Sequence, residues 1–513
     1  MPAPQLQHSG LPSKRPRDDA DGQSASGQRH APQARKSLQH ATPAAVGNNQ
    51  RANGAQHEDD PTEISAADYD PLRDDTDRAK REQPQNILGI SPAKGDSAAG
   101  KAVVNPEAGD EDDEWEEVEV DDDEDIDDMF AISDEPPKKK TVRRRKITAA
   151  NGSAQQTVGT AQMAASMKHD HDDPEGYYRV ILGERIGDDG RYLVFANLGK
   201  GMFSSVVRAK DSQRGDREVA IKIVRSQETM FKAGLKEIAI LDKLRSMDPE
   251  DKKHLVQLEG HFTHRGHLCM VFESLSMNLR EVVKRFGKDI GLNIRAVRTY
   301  AYQLFLALAL MKKANIMHAD IKPDNILVNN GKTHIKLCDL GSASDVSEGE
   351  ITPYLVSRFY RAPEIILGLP YDTALDTWSV GCTLYELFTG KILFPGRSNN
   401  HMLLLIQELR GKFTTKMIRK AQFSEQHFDD TNAFLSFEKD KTTGQDTIRR
   451  VMLSKPVEDL RARLLPNHVA KQMRESELKM TQNFVDLLNR TLELDPAKRI
   501  TPKEALMHPF LVQ

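Results

Sequence analysis

The chain has 513 residues, a formal net charge of −5 at pH 7, 29% charged residues and 6% aromatic residues. Its three cysteines, Cys269, Cys338 and Cys382, stand far apart in apolar runs, which speaks against a disulfide scaffold or a cysteine-held zinc and fits a reducing compartment. The opening residues carry no apolar signal-peptide core, and the longest apolar run, Leu304–Met311, is too short for a bilayer and reads as a buried helix, so no membrane partner is expected.

Residues 1–175 are rich in Gln, Ala, Ser, Gly, Pro and charge and poor in aromatics. Such a stretch cannot bury enough apolar surface to offset the entropy of ordering, and it is read as a disordered tail. It holds an almost wholly acidic run, 110–128, and a basic run, 138–146, with seven Lys and Arg residues. Each run is expected to repel itself and stay extended, and the basic one is a candidate for nuclear import. From about Gly176 onward apolar periodicity and turn residues begin, giving about 335 residues, enough for one large two-lobed domain.

The first motif is Gly199-Lys-Gly201-Met-Phe-Ser204-Ser-Val206. Two glycines let a hairpin backbone bring its N–H groups close to phosphate oxygens, and Ser204, still small, stands where a third glycine is usual. Alone, the motif is equally a glycine-rich turn. The alternating strand "EVAIKIV" then offers Lys222 as a cation for phosphates, and the periodicity of "GLKEIAILDKL" puts Glu237 on a helix as its partner. That order argues against a surface lysine and a solvated glutamate. "HLCMVFESLSMNL" reads as a strand running into a connector.

Next comes "NIMHADIKPDNILV", Asn315–Val328. Asp320 is suited to orient a hydroxyl and accept its proton, and Lys322 to neutralise charge on a transferred phosphoryl group. Asn325, with Asp339 of "KLCDLGSAS", offers oxygen ligands for Mg²⁺. Phosphoryl transfer asks for positioning and charge stabilisation, which these side chains supply.

With Ala362-Pro363-Glu364, "DTWSVGCTLYEL" and "ELDPAKRIT" added, the chain from Tyr192 to Phe510 resembles a eukaryotic protein kinase. The resemblance implies an α+β, bilobal fold: a small β-rich N-lobe with one key helix over 192–275 and a larger helical C-lobe over 276–510. It implies ATP and Mg²⁺ as cofactors, with Leu198 at the phosphate cradle and Val206, Ala220 and Leu327 around the adenine. Phe272 would close the back of the pocket, and backbone groups of Glu273 and Leu275 would hydrogen-bond the ring. It implies further that Glu364 pairs with Arg499 and that Asp376 braces the loop of Asp320. Leu340, in place of the usual phenylalanine, would stack with His318, Leu258 and Leu241. Lys322 together with Ser357 is the serine/threonine pattern.

The run "PYLVSRFYRAPEIILG" and an insert at about 412–478 resemble the CMGC group of kinases, and within it the pre-mRNA-processing-factor-four kinases, whose loop also reads His-Ala-Asp. Ala319, where most kinases have arginine, is then a mark of the subgroup. This implies a nuclear, monomeric kinase domain acting on spliceosomal proteins, without direct nucleic-acid binding, although the tail lacks the Arg-Ser repeats of relatives. With no arginine at 319, Tyr354 is expected to be autophosphorylated and gripped by Arg358 and Arg361. The alternatives are a dual-specificity-type kinase with non-splicing substrates and a pseudokinase scaffold. The presence of Lys222, Glu237, Asp320, Asn325 and Asp339 argues against the scaffold.

Overall fold

The computed structural model describes residues 65–66, 115–119, 141–145, 171–349, 351–439, 445–453 and 455–512, all within one compact unit, Asp60–Gln513. Most of the expected disordered tail lies outside the described residues. Two pieces of its charged runs are described as strands: β1 (Trp115–Glu119) pairs antiparallel with β2 (Thr141–Arg145), in a register that sets Glu116 opposite Arg144 and Glu117 opposite Arg143. These two pieces of the acidic and basic runs, read separately in the sequence, pair in that ribbon.

The N-lobe is one antiparallel sheet of β3 (Arg185–Ile186), β4 (Tyr192–Lys200), β5 (Ser204–Asp211), β6 (Arg217–Val224), β7 (Leu258–His264) and β8 (His267–Glu273), in the order β3-β4-β5-β6-β8-β7. Side chains alternate across a strand, so β6 buries Val219, Ile221 and Ile223 in a small core with Val194, Val207 and Val271 and leaves Ala220 and Lys222 on its other face. The helix α1 (Glu228–Met247) buries Ile238, Leu241 and Leu244 on one stripe, with Glu237. Its Gly234 permits the close approach, because a Cβ there would stand 2.7 Å from Leu268 Cδ2.

The C-lobe is built on α2 (Leu279–Val282), α3 (Ile294–Lys313), α4 (Pro363–Leu367), α5 (Ala374–Thr389), α6 (Asn399–Arg410), α7 (Glu475–Thr491) and α8 (Pro502–Leu506). The apolar run Leu304–Met311 lies in α3, in the main core, as its composition implied. A capping box between Thr501 and Glu504 starts α8. The expected insert contains a hairpin, Phe434–Lys439 with Asp446–Val451. The fold class read from sequence is the one observed.

Two small pairings position the chemistry. The strand β10 (Ile316–Met317) pairs with β13 (Ser344–Asp345), and β11 (Ile326–Val328) pairs with both β9 (Met277–Asn278) and β12 (Ile335–Leu337). The loop carrying Asp320 runs from β10 to β11, and the turn carrying Asp339 runs from β12 to β13. Each loop is therefore tied at both ends to a strand that borders the other.

A dipeptide from far upstream completes the C-lobe. Ser65 forms an antiparallel bridge with Lys391, and the Ala66 N–H donates to Gly390 O at 2.9 Å. The Ser65 hydroxyl donates to Asp289 Oδ1 at 2.6 Å, and Arg280 Nη1 reaches Ala66 O at 3.4 Å. Ala66 is fully buried in the main core.

Candidate active site

Lys222 projects from the open face of β6 and meets Glu237 of α1, with Nζ 2.8 Å from Oε1 and 2.9 Å from Oε2. The same ammonium lies 2.8 Å from Asp339 Oδ1. Burial alone would lower the lysine pKa; the carboxylates of Asp339 and Glu237 outweigh it and hold the ammonium above its ordinary value. Lys222 in turn keeps the Asp339 carboxyl below the usual range, against the opposing effect of burial. Asp339 sits in the left-handed region (φ 60°), and 48% of its side chain is exposed. One cation thus serves two carboxylates, of which one stays accessible.

The loop of Asp320 is drawn together by its own polar groups. Asp320 Oδ1 accepts from the Ser357 hydroxyl at 2.5 Å and from the Ser357 N–H at 3.2 Å. Lys322 Nζ lies 3.3 Å from Asp320 Oδ2 and donates to the same serine hydroxyl at 3.0 Å. The Asn325 amide donates to Asp320 O at 2.9 Å and to Oδ2 at 3.2 Å. Behind them the N–H groups of His318 and Ala319 donate to the two oxygens of Asp376 at 2.8 and 2.9 Å. Ala319 is fully buried with φ 62°. The His318 ring lies 3.0 Å from Cys338 O, joining this loop to the one carrying Asp339. Leu241, Leu258 and Leu340 are buried in one core, and His318 is buried with them.

The residues expected around a nucleotide lie on β4, β5, β6, β8 and β11 and in the connector after β8. Gly201 N–H donates to Ser204 O at 2.8 Å and closes the hairpin tip, with Gly199 at φ 151° and Leu198 exposed. Val206 stands opposite Lys222, and Ala220 opposite the buried Phe272. Leu327 is paired in β11 with Lys336 and Asn278. Glu273 spends its carboxylate on Gln257 N–H and Lys336, and the Leu275 carbonyl accepts from Arg208 at 2.9 Å.

Of the three expected regulatory residues, two are brought together. The Arg361 guanidinium lies 5.8 Å from the centroid of the Tyr354 ring and donates to Tyr354 O at 3.1 Å and Val356 O at 2.8 Å. Val356 is held in the left-handed region, φ 71°, a strained place for a β-branched residue. Arg358 instead donates to Arg397 O at 3.1 Å. Glu364 and Arg499 form the expected buried pair, bidentate at 2.6 and 2.9 Å. Sequence reasoning missed Arg280 of α2. It joins Asp324 (3.0 Å), the Tyr360 hydroxyl (2.6 Å) and Glu386, and no local pattern marks a residue whose partners lie 44 to 106 positions away.

Residues 192–511 match the family described as the protein kinase domain. The chain belongs to the protein kinase family. This kinase is 51% identical over 387 residues to serine/threonine-protein kinase prp4 of Schizosaccharomyces pombe, a span of 75% of this chain and 78% of that one. It is 45% identical over 390 residues to serine/threonine-protein kinase prpf4B of Dictyostelium discoideum, where it covers 75% of itself and about half, 47%, of the relative. Dual specificity tyrosine-phosphorylation-regulated kinase 2 of Drosophila melanogaster is 36% identical over 346 residues, 66% of this chain and 44% of that one. The kinase is of the serine/threonine type, with ATP as its phosphoryl donor and proteins as its substrates, and its relatives lie in the CMGC group.

Proposed function

We propose that this kinase moves the γ-phosphoryl group of ATP to serine and threonine hydroxyls of nuclear pre-mRNA-splicing proteins, and that it acquires a phosphate on its own Tyr354. The observation that carries the chemical part is the Ser357 hydroxyl donating to Asp320 while Lys322 donates to that same hydroxyl. Asp320 and Lys322 can thus hold an aliphatic hydroxyl between them, which supports the same pair acting on a substrate serine. Asp320 orients the substrate hydroxyl and takes its proton; the hydroxyl oxygen bonds to the γ-phosphorus as the bond to the β–γ bridging oxygen breaks. Lys322 balances charge on the moving group, and Lys222, held by Glu237, aligns the phosphates still on the nucleotide. The donor set suits Mg²⁺: Asp339 offers an exposed carboxylate, and Asn325, which spends its amide N–H on Asp320, offers an amide oxygen. That ion would supply charge neutralisation between the phosphates.

The splicing assignment rests on the 51% identity with prp4 and on the His318-Ala319-Asp320 loop, which resembles that of the pre-mRNA-processing-factor-four kinases. The nuclear assignment rests on the basic run 138–146. Phosphoproteomics after rapid inhibition of the kinase tests the substrate class. Loss of phosphate from splicing proteins is expected, and loss confined to other proteins would favour the dual-specificity-type reading. For Tyr354, the proximity of Arg361 supports the phosphotyrosine reading, since a guanidinium matches phosphate geometry. Mass spectrometry of active enzyme should find phosphate on Tyr354. A fully active preparation without it would refute this part, and Tyr354→Phe should lower activity while leaving the domain folded.

A further inference from the structure

The family match begins at Tyr192, yet the N-lobe carries an ordered strap ahead of it, His171–Tyr178. Its anchor is Asp172, 2.8 Å from the His267 ring and accepting from the Ser226 hydroxyl at 2.9 Å. His267 is fully buried, and its other ring nitrogen lies 2.8 Å from Val224 O. The Asp173 carboxylate then accepts from the N–H groups of Glu175 and Tyr177 at 3.0 and 2.9 Å, turning the chain so that Tyr177 faces the glycine hairpin.

The Tyr177 hydroxyl lies 2.8 Å from Gly201 O and 2.9 Å from Met202 O, at the tip of that hairpin. Its ring is flanked by two cations, Lys200 Nζ at 3.7 Å and Arg225 Cζ at 4.6 Å from the centroid. Lys200 is tied back to Asp173 at 2.7 Å, and Arg225 donates to Glu175 O at 2.9 Å and to Met202 O at 3.2 Å. Burial pushes the phenol pKa above its ordinary value, so the hydroxyl keeps its proton and acts as donor. The hairpin tip is therefore fastened by one phenol and one guanidinium, both reaching its carbonyls.

We propose that Tyr177 is a positioning residue for the nucleotide: by holding the carbonyls of Gly201 and Met202 on the strap side, it fixes the N–H groups of Met202 and Phe203 on the opposite side, as donors for ATP phosphate. The reason is peptide planarity: in a trans unit the C=O of one residue and the N–H of the next point in opposite directions. A glycine hairpin left to itself samples many orientations of these peptides, and each costs affinity for a charged ligand that needs all its donors aligned. The neighbouring Tyr178 supplies a contrast. Its hydroxyl donates to Glu184 at 2.7 Å, and its ring meets the edges of His264 and His267, away from the hairpin carbonyls.

The test uses the full chain with a peptide substrate and compares Tyr177→Phe with Tyr178→Phe. Tyr177→Phe keeps the ring between Lys200 and Arg225 and removes only the hydroxyl. KM for ATP should rise about 3- to 10-fold, as expected for one lost hydrogen bond, with kcat and the melting temperature near those of the parent. In Tyr178→Phe, KM for ATP should stay at the parent value. The proposal is overturned if Tyr177→Phe leaves KM for ATP unchanged, or if kcat and KM shift together by the same factor in both variants, which would mark the strap as a general brace.

Discussion

Two buried ion pairs divide the labour of this kinase. Lys222–Glu237 lies in the cleft and shares its cation with Asp339, whose side chain is 48% exposed. Glu364–Arg499 lies inside the C-lobe with both side chains at most 1% exposed, and Arg499 also donates to Glu493 O and Ala374 O at 3.0 and 2.8 Å. The second pair is bidentate and enclosed; the first shares its cation with a carboxylate that stays accessible to a ligand. A site proposed to bind phosphate and metal keeps part of its polar capacity uncommitted, whereas a brace commits most of it.

Exchanging the cation in each pair sharpens this contrast. Lys222→Arg retains a charge for Glu237 and Asp339 but replaces a compact ammonium by a wide fork. Turnover should fall by about 100-fold or more, the cost of displacing an aligned phosphate by about 1 Å, with little change in the denaturation midpoint. Loss of stability in place of turnover would make the cleft pair a brace as well. Arg499→Lys should do the reverse. It forfeits the bidentate geometry and should cost about 1.5–3 kcal/mol of unfolding free energy, measured in denaturant, while the fraction still folded turns over normally. The smallest effect is expected at the seat of the upstream dipeptide. Ala66→Glu places a carboxylate at a fully buried position, so the Ala66 N–H should lose its exchange protection, with the C-lobe stable to within about 1 kcal/mol. Persisting protection of that amide would mean that the dipeptide is held by its flanks.

These differences bear on what a sequence can reveal. Lys222, Glu237, Asp320, Asn325 and Asp339 were legible because each sits in a short motif whose order along the chain carries chemical sense. The helix of Glu237 and the buried run in α3 followed from periodicity. Ala66, Tyr177 and Arg280 were not legible. Ala66 owes its burial to Gly390 and Arg280, the latter 214 positions away, and Tyr177 acts on carbonyls 24 and 25 positions on. A contact made to backbone leaves no complementary side chain for a pattern to detect. Ala319 shows the intermediate case. Its departure from arginine is visible, and a brace from Asp376 was expected, but its burial and its left-handed φ of 62° emerge only from the folded loop.

We propose that the cleft transfers phosphate through Asp320 although residue 319 is alanine. Steady-state phosphoryl transfer by the full chain, compared with Asp320→Asn, tests it most directly. Asparagine still accepts from Ser357 but cannot take a proton, so kcat should fall by about 10²- to 10⁴-fold, while ATP affinity measured by titration stays at the parent value. An Asp320→Asn enzyme that keeps near-parent kcat would contradict this account of the site.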